Sequence, residues 1–426
     1  MEKNAKIVII GAGIFGLSTA YQLASEGHQN IVVLDRHMPP VPDGSSSDIS
    51  RVVRFDYADD DYLDLAYEAY VKWRDDVKYK GIFERAGYIL AGETNGQEWI
   101  TKTMSALKKK NLPWKKLENA AAAKKEYPML SGELATPGFF GYHNQQAGWA
   151  DAAKAVSQLR DDCFELGVSF IAGRSGTVID FETDSKKSIK AALTLDGNRV
   201  IGDHFILSTG AWTSGLVSMY NSVLSTGHVI GYKRFRSTKV FLSMQTSRLD
   251  GLTSPSHRDT GMLKMAIHGW GYTRTPRKED LTAVRSNISS PPLIPPRERR
   301  NFVPRDGEAR LREGLREILP ELADRPFHKL ALCWYTDTPS GNFIMDYHPD
   351  YANLFVGGAG SGHAFKFLPV LGKYMSLALK KKLPEQLAQK WRFREEYASQ
   401  TDTFLGDGSR GGPARRELDT EEKAKL

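Results

Sequence analysis

The sequence is poor in cysteine, with Cys163 and Cys333 as the only two in 426 residues. A disulfide framework is therefore not expected, and each thiol needs an explanation of its own. Cys163 lies in LRDDCFELG, where apolar residues recur at helical spacing, and is typical of a small core residue. The spacing that zinc ligands require is also missing, so we expect no metal site.

Long apolar runs are missing as well. No run reaches the roughly 18 residues that a membrane span requires. Val8, Ile9 and Ile10 lead directly into glycines, which is not the pattern of a signal peptide. These observations predict an intracellular protein without a membrane-spanning segment.

Charge is only slightly unbalanced, with 58 lysines and arginines against 51 acidic residues and a net charge of +7. The basic residues are spread out apart from short clusters at 108–110 and 297–300, and neither a nucleic-acid motif nor an internal repeat is visible. We therefore expect no nucleic-acid partner. The length predicts one large domain or two interleaved domains with a sizeable core.

A dinucleotide-binding pattern is present near the start of the chain. Residues 6–35 read KIVIIGAGIFGLSTAYQLASEGHQNIVVLD, which predicts a strand, a glycine turn, a helix and a second strand that ends at Asp35. Gly11 permits the tight turn, Gly13 lets a pyrophosphate approach the helix N-terminus, and Gly16 allows close packing of strand and helix. The Asp35 carboxylate can accept hydrogen bonds from ribose hydroxyls. The motif predicts a bound dinucleotide but does not separate FAD from NAD.

Two arginines follow a loop of small residues in DGSSSDISRVVR, at 43–54. Arg51 and Arg54 are three apart and could lie on one face of a helix. Their guanidinium groups suit a phosphate, a carboxylate or an electron-rich ring. A pair of surface arginines is the alternative.

The segment MLKMAIH, at 262–268, alternates in the way that a half-buried strand does. The side chains predicted to face the core are Leu263, Met265 and Ile267. The side chains predicted to face the other way are Lys264, Ala266 and His268. Periodicity alone leaves open whether that second face meets water or a pocket.

A similar argument applies to residues 330–369, which read LALCWYTDTPSGNFIMDYHPDYANLFVGGAGSGHAFKFLP. On a strand, Cys333 and Tyr335 share one face. After a second apolar run, glycines lead into a predicted helix that carries His363 and Lys366 one turn apart. Glycines at that place let a flat ligand approach the backbone. The alternative is a hairpin, a loop and a core helix without a ligand.

These motifs, in the order GAGIFG with Asp35, SRVVR, LKMAIH, LCWYTDTP and GSGHAFKF, resemble the monomeric sarcosine oxidase family of covalent flavoenzymes. Relatives of that family include pipecolate and saccharopine oxidases and fructosyl amino acid oxidases (amadoriases). The resemblance covers nearly the whole chain. It implies an α/β (α+β) fold with a Rossmann-type FAD-binding domain interleaved with an antiparallel-sheet substrate domain.

The FAD-binding domain is expected to be discontinuous, because HFILSTGAW at 204–212 is typical of a buried strand that meets a glycine and returns to such a domain. The segments assigned to it are 1–86, 151–218 and 326–399. The segments assigned to the substrate domain are 87–150 and 219–325, and residues 400–426 are assigned to a polar C-terminal tail.

The resemblance also implies roles for single residues. Cys333 would carry FAD through a thioether, Arg51 would lie against the isoalloxazine, and Lys264 would sit beside flavin N5, on the face where oxygen reacts. Arg54 and Lys366 match the pair that binds the substrate carboxylate. The side chains that match the lining of the substrate cavity are His268 and Tyr335. The other residues expected at the cofactor are Gly11, Gly13, Ile14, Phe15, Gly16, Asp35, Ser46, Ser50, Gly360, Gly362 and His363, together with Lys366.

The implied reaction is oxidation of a secondary amine that bears a carboxylate, with O2 as acceptor and an imine and hydrogen peroxide as products, in a monomeric enzyme. SRVVR and GHAFKF argue against the amadoriase branch without excluding it. Residues 255–258, PSHR, replace a loop that holds a tyrosine in sarcosine oxidases, which argues against sarcosine itself. A nicotinamide-dependent dehydrogenase and a non-catalytic flavin-binding protein are the alternatives from other classes.

The C-terminal tail is polar and rich in glycine, and it ends in Ala424-Lys425-Leu426. We expect too little apolar surface for it to fold alone, so that its last residues are accessible. Ala-Lys-Leu is a conservative variant of the Ser-Lys-Leu address that a peroxisomal import receptor reads. The sequence therefore predicts a peroxisomal protein, or otherwise a cytoplasmic one.

Overall fold

A computed structural model describes residues 2–92, 97–134, 138–235, 243–246, 251–254, 257, 259–277, 288–293, 300–399 and 410–426. The strands are β1 (Ile7–Ile10), β2 (Ile31–Leu34), β3 (Arg51–Val53), β4 (Phe83–Arg85), β5 (Tyr88–Gly92), β6 (Lys115–Leu117), β7 (Phe140–Asn144), β8 (Gly148–Ala150), β9 (Ser169–Ile171), β10 (Val178–Thr183), β11 (Ile189–Thr194), β12 (Arg199–Ile201), β13 (His204–Leu207), β14 (Leu224–Arg234), β15 (Ser243–Thr246), β16 (Gly251–Ser254), β17 (Met262–Ile267), β18 (Tyr272–Thr273), β19 (Lys329–Asp337), β20 (Ile344–Tyr347), β21 (Leu354–Gly358) and β22 (Arg416–Glu417). The helices are α1 (Ile14–Ser25), α2 (Asp60–Asp75), α3 (Gln97–Lys109), α4 (Ala120–Glu126), α5 (Ala152–Glu165), α6 (Thr213–Leu216), α7 (Arg305–Ile318), α8 (Pro320–Ala323), α9 (Leu368–Leu379), α10 (Glu385–Trp391) and α11 (Thr420–Ala424).

The N-terminal motif lies at the centre of a sheet with the strand order β20-β21-β13-β1-β2-β9. The strands are parallel except for β20, which is antiparallel to β21. Their continuous apolar runs agree with burial on both faces, as parallel strands require. Ile7 and Ile9 pack on the side of α1, α5 and α9, whereas Val8 and Ile10 pack on the side of β10 and β11. The predicted Rossmann-type layer is thus confirmed.

A second, largely antiparallel sheet has the order β22-β18-β14-β17-β16-β15-β5-β7-β6, and β19 pairs with β14. One face packs against α7 and α8, and it includes Leu332 and Trp334. The other face carries Ala331 and Cys333, with Tyr335 packed against them. The predicted alternation in β19 is therefore confirmed, and so is the alternation in β17, whose Leu263, Met265 and Ile267 belong to the first face.

Two strands lie in sheets other than those of their assigned segments. β19, which falls in segment 326–399, pairs with β14 of the second sheet. β8, which falls in segment 87–150, pairs with β3 and β4 in a small separate sheet. At the level of whole domains, the division into segments stays a prediction. No helix in the described part of the chain is long and apolar enough to cross a membrane.

The prediction that Arg51 and Arg54 share a helical face is wrong. Arg51–Val53 forms β3, with Arg51 opposite Ala150 and Val53 opposite Gly148 on β8. The β-branched Val52 and Val53 favour a strand, and pairing with β8 provides the backbone partners.

The predicted helix that carries both His363 and Lys366 is also wrong, because the helix begins later. Ala359, Ser361 and Gly362 have φ values of 56°, 46° and 76°, so the chain turns in the left-handed region after β21. A 3-10 turn at Phe365–Phe367 follows, and α9 starts with a proline in its first turn. His363 therefore lies in the turn, and Lys366 lies in the 3-10 segment.

The C-terminal tail is folded where the structure describes it, although it has too little apolar surface to fold alone. β22 pairs with β18, α11 has a capping box between Asp419 and Glu422, and Leu418 is only 1% exposed. Ala424 and Lys425 are exposed, whereas Leu426 is half-buried against the second sheet's cluster. The reason is that partners far away in the chain anchor the tail, as Asp306 does for Arg416 at 2.7 Å. The glycine-rich residues 406–409 lie outside the described residues.

Candidate active site

One cavity is lined by residues of both large sheets and of the β1–α1 turn. The predicted site residues that line it are Gly11, Gly13, Ile14, Phe15, Asp35, Ser46, Arg51, Arg54, Lys264, His268, Cys333, Tyr335, Gly360, Gly362, His363 and Lys366. All predicted site residues are described, and among them Gly16 and Ser50 do not line the cavity. The question of what faces the second side of β17 is thereby settled, because Lys264 and His268 meet a pocket.

The glycine turn forms a cradle that tolerates no side chain. Gly11 has a φ of 106°, and a Cβ there would lie 2.3 Å from the Ser208 carbonyl oxygen. A Cβ on Gly16 would lie 1.9 Å from the Gly11 carbonyl oxygen, so this glycine serves packing. The N-cap of α1 is Gly13, which has no side chain to cover the first amides of a 12-residue helix. Such a helix start fits a pyrophosphate group.

Asp35 and Ser46 complete this end of the cavity. Asp35 Oδ2 accepts a hydrogen bond from Ala12 N at 2.7 Å, which holds the carboxylate beside the turn. Ser46 Oγ accepts from Ile14 N at 3.1 Å. The donors and acceptors present fit the diphosphate and ribose parts of a dinucleotide.

Cys333 and Arg51 meet in the middle of the cavity. The Cys333 side chain is 1% exposed, and its sulfur lies 3.6 Å from Arg51 Nη2. Arg51 Nη2 also donates to the Ser45 carbonyl oxygen at 2.7 Å, and Arg51 Nη1 is paired with the Asp48 carboxylate. The arginine therefore has a fixed position beside the thiol.

Lys264 is a buried cation on the same wall. Its ammonium nitrogen lies 2.8 Å from Asp48 Oδ2 and donates to the Ser50 carbonyl oxygen at 3.0 Å. Burial and the nearby Arg51 lower the pKa of Lys264 to about 8, although Asp48 opposes this change. Ser50 thus acts on the site through its carbonyl group.

Arg54 and Lys366 form a second cationic region, with exposures of 8% and 5%. Lys366 Nζ donates to the Tyr57 hydroxyl at 2.9 Å and to the His363 carbonyl oxygen at 2.6 Å. The Arg54 guanidinium lies 5.2 Å from the centre of the Tyr57 ring and 5.3 Å from that of Tyr88. Tyr57 therefore connects the two cations.

The protonation of this region follows from its hydrogen bonds. His363 Nε2 lies 2.9 Å from the Gly341 carbonyl oxygen, which can only accept, so Nε2 carries the proton. His363 Nδ1 then accepts from the Tyr57 hydroxyl at 2.9 Å. The Tyr57 oxygen is left to accept from Lys366, as the distances indicate.

Tyr335 is held from both sides. The ring of His228 stacks on it with centroids 4.0 Å apart, and the His268 centroid lies at 6.4 Å. A Cβ on Gly362 would lie 2.6 Å from Tyr335 Cε2, so only glycine allows the turn to pass this ring. Burial raises the pKa of the Tyr335 phenol, which therefore stays protonated at neutral pH.

Sequence reasoning missed three residues of the site. Asp48 and Tyr57 lie within ten positions of Arg51, and a signal existed in each case: an acid among serines, and a tyrosine three residues after Arg54. Arg410 comes from the tail and gave no signal. Its guanidinium pairs with Asp337 and lies 5.7 Å from the Tyr335 ring centre.

The geometry of the cavity fits a dinucleotide. Comparison with known proteins shows whether the chain belongs to a family that binds FAD or to one that binds a nicotinamide dinucleotide. A family model described as FAD dependent oxidoreductase matches residues 6–377. The chain belongs to the FAD-dependent oxidoreductase family. This membership replaces the nicotinamide-dependent alternative, which the glycine motif alone had left open.

Two curated relatives and one solved structure of the family are similar over most of their length. L-saccharopine oxidase of Schizosaccharomyces pombe is 28% identical over 417 residues, which are 92% of this chain and 93% of that protein. Peroxisomal sarcosine oxidase of Homo sapiens is 26% identical over 389 residues, which are 86% and 90% of the two chains. The crystal structure of fructosamine oxidase (Amadoriase II) of Aspergillus fumigatus has a TM-score of 0.85 and 26% identity, and it covers 98% of this chain and 96% of that one.

The loop at 255–258, which we expect to differ from that of sarcosine oxidases, is described at one position only. His257 Nε2 lies 3.0 Å from Asp151 Oδ2, away from the cavity. Pro255, Ser256 and Arg258 lie outside the described residues.

Proposed function

We propose that the protein is an FAD-dependent oxidase of a secondary amine that bears a carboxylate, such as an N-alkyl or cyclic amino acid. The products are an imine, which hydrolyses, and hydrogen peroxide. The observation that carries this proposal is that two buried cations, Arg54 and Lys366, line the same cavity as Cys333. The named activities of the saccharopine and sarcosine oxidases support it.

The cationic region recognises the carboxylate. Arg54 donates to the Asp56 carbonyl oxygen and is attracted by the buried Asp56 carboxylate, and Lys366 donates to the Tyr57 hydroxyl and to the His363 carbonyl oxygen. A substrate carboxylate that lies between the two cations would accept charge-assisted hydrogen bonds from both. It would then hold the amine in a fixed position in the cavity.

FAD supplies the redox chemistry when it is bound, by taking two electrons from the carbon next to the amine nitrogen and passing them to O2. The residues that would hold it are the cradle of Gly11, Gly13, Asp35 and Ser46, and Cys333 would attach it through a thioether. The Arg51 guanidinium lies 3.6 Å from the sulfur through which FAD would be attached.

Lys264 serves the oxygen half of the reaction. A fixed cation in a dry cavity stabilises the negative charge that develops as O2 is reduced. Tyr335 and His268 line the substrate side and shape it.

An amadoriase is the second candidate, because the solved structure of Amadoriase II covers 98% of this chain with a TM-score of 0.85. The deciding experiment is a peroxide assay of the purified protein with sarcosine, other N-methyl amino acids, pipecolate, saccharopine and fructosyl amino acids. Peroxide with sarcosine, another N-methyl amino acid, pipecolate or saccharopine supports the main proposal, and peroxide with fructosyl amino acids alone supports the second. No peroxide with any amine would favour a non-catalytic flavin-binding protein.

The remaining parts of the proposal concern the oligomeric state of the protein and its location in the cell. We propose a monomer that is imported into peroxisomes through Ala424-Lys425-Leu426. The supporting observations are the exposure of Ala424 and Lys425 and the similarity to a peroxisomal sarcosine oxidase. An enzyme that releases peroxide benefits from such a compartment.

A further inference from the structure

A single buried carboxylate connects the two cations on the Cys333 side of the cavity. Asp48 is 7% exposed and lies outside the set of residues that line the cavity. Its Oδ2 atom is paired with both Arg51 Nη1 and Lys264 Nζ. Its Oδ1 atom accepts from the Tyr232 hydroxyl at 2.8 Å and from Ile49 N at 2.8 Å. Both oxygens therefore have defined partners.

The fold holds this carboxylate from three directions. Tyr232 on β14 and Lys264 on β17 are directly opposite each other in the sheet, so one cross-strand pair reaches the same acid. Arg51 approaches from β3. The Asp48 carbonyl oxygen accepts from Ala153 N at 3.0 Å, which ties its backbone to the start of α5. Asp48 is thus rigid relative to both cations.

The charges show what the carboxylate does. Arg51 cannot lose its proton at any accessible pH, whereas a lysine can. Without an anion, two buried cations would repel each other, and Lys264 would become neutral to relieve the repulsion. Burial and Arg51 bring the pKa of Lys264 down to about 8, and Asp48 opposes this change more strongly than Cys333 does.

We propose that Asp48 is a positioning residue that keeps Lys264 protonated and directs its ammonium group into the cavity. The proposal rests on the proposed function, in which Lys264 serves the reaction with O2. The contacts to Asp48 Oδ2 and the Ser50 carbonyl oxygen use two of the three ammonium donors. These two hydrogen bonds fix the orientation of the ammonium group and therefore the direction of its third N–H.

The titratable and charged groups that face Lys264 come from three elements. Asp48 and Arg51 belong to the segment at 43–54, Cys333 lies on β19, and Tyr232 lies on β14. Asp48 is the one carboxylate of this set. Its removal should therefore move the protonation of Lys264 to lower pH.

The test compares Asp48→Asn with Asp48→Glu in the flavin-loaded enzyme. Stopped flow measures the rate of reoxidation by O2 as a function of pH, and potentiometry measures the flavin midpoint potential over the same range. In the wild type, the plots of the reoxidation rate and of the midpoint potential against pH should both change slope at the pH where Lys264 loses its proton. Asp48→Asn should move this pH downwards by about 1 to 3 pH units, the usual effect of one close opposite charge. Asp48→Glu, which keeps the charge, should stay closer to the wild type although its shape differs more.

Asp151→Asn is the matched control. Asp151 is a buried acid with a lysine nearby, and asparagine can replace it as the N-cap of α5. In the Asp151→Asn enzyme, the reoxidation rate and the midpoint potential should change slope at the same pH as in the wild type. An Asp48→Asn enzyme that also keeps the wild-type pH, in rate and in potential, would overturn the proposal.

Lys264→Met separates the proposal from the function on which it rests. If Lys264→Met is reoxidised like the wild type and keeps the slope change, the proposed role of Lys264 in the reaction with O2 is wrong. That conclusion does not depend on the result for Asp48→Asn. If Lys264→Met loses the slope change, Asp48→Asn in that background should cause no further loss of reoxidation. A further loss of the same factor as in the wild-type background would mean a structural role and would contradict the proposal.

The double variant also covers a folding failure of Asp48→Asn. Removal of one cation should restore folding if the defect came from two uncompensated charges. If Asp48→Asn fails to fold with and without Lys264, the carboxylate is needed for the fold itself, and the proposal is wrong.

Discussion

The Arg51 guanidinium lies 3.6 Å from the Cys333 sulfur, although the two residues are 282 positions apart in the chain. This relationship places a permanent cation beside the thiol that we propose as the attachment point of FAD. Cys163 has a different environment, because its sulfur contacts the Leu17 carbonyl oxygen in the core. The two thiols therefore form a natural pair of test and control.

Cys333→Ala is expected to abolish covalent flavin attachment while most of the fold remains, because alanine fits the same strand position. Cys163→Ala should keep the attachment, since burial raises the pKa of that thiol to about 12 and leaves it unreactive. The measurement is flavin fluorescence at the protein band of a denaturing gel. A dark wild-type band would refute the thioether.

Lys264→Met is expected to slow reoxidation by O2 on the order of 100-fold, because one preorganised charge contributes about 3 kcal/mol at the transition state. Reduction by the amine should change far less. In the wild type, reoxidation should fall as the pH rises through about 8, where the lysine loses its proton.

The matched control for that experiment is Lys233→Met. Lys233 is a buried lysine on β14, and it donates to the Leu322 carbonyl oxygen at 2.7 Å, away from the cavity. Its loss should reduce stability but leave the ratio of the two half-reactions unchanged. Equal losses in both half-reactions of Lys264→Met would assign that lysine to substrate binding or to structure.

Arg54→Ala and Lys366→Ala are each expected to lower kcat/KM for carboxylated amines by about 10- to 150-fold, equivalent to 1.5 to 3 kcal/mol for one charge-assisted hydrogen bond. Amines without a carboxylate should lose little. Lys373→Ala, an exposed lysine that pairs with Glu68, is the control and should leave both substrates unaffected. If neutral amines lose as much as carboxylated ones, the carboxylate site is somewhere else.

Arg410→Ala is expected to destabilise the protein by about 3 to 5 kcal/mol, because it leaves a buried carboxylate without its partner. Burial alone would raise the pKa of Asp337, but Arg410 and Thr226 bring it down to about 2. The pair therefore stabilises the wild type fully above about pH 4, and this contribution is lost as the pH falls towards 2.

The measurement is the free energy of unfolding against pH. Arg392→Ala, which breaks an exposed pair with Glu396, should cost less than about 1 kcal/mol. If Arg410→Ala costs no more than this control, the tail is not anchored through Asp337.

Removal of Ala424 to Leu426 is expected to change the location of the protein from peroxisomes to the cytosol, because the import receptor reads a C-terminal tripeptide. The measurement is microscopy of a fluorescent fusion at the N-terminus. Leu418→Ala, which leaves the tripeptide in place but loosens the tail, should still be imported. A diffuse signal from the intact chain would end the proposal.

Local patterns in the sequence were sufficient for much of this protein. The alternation in MLKMAIH and LALCWYTD predicted two strands and the face of each side chain, because side-chain direction in a strand depends only on the backbone period. The glycines of GAGIFG predicted the turn before α1, because the turn and the helix that follows it are neighbours in the chain. The Rossmann-type fold followed from these local signals.

Long-range contacts decided the rest. SRVVR was expected as a helix and became a strand, because its backbone partner is β8, about a hundred residues later. The tail has too little apolar surface to fold alone and is anchored by Asp337 and Asp306. The link from Asp48 to Lys264 and Arg51 is a further case, because neutralising buried charges depends on which groups the fold brings within a few ångströms of one another, and no local period encodes that distance.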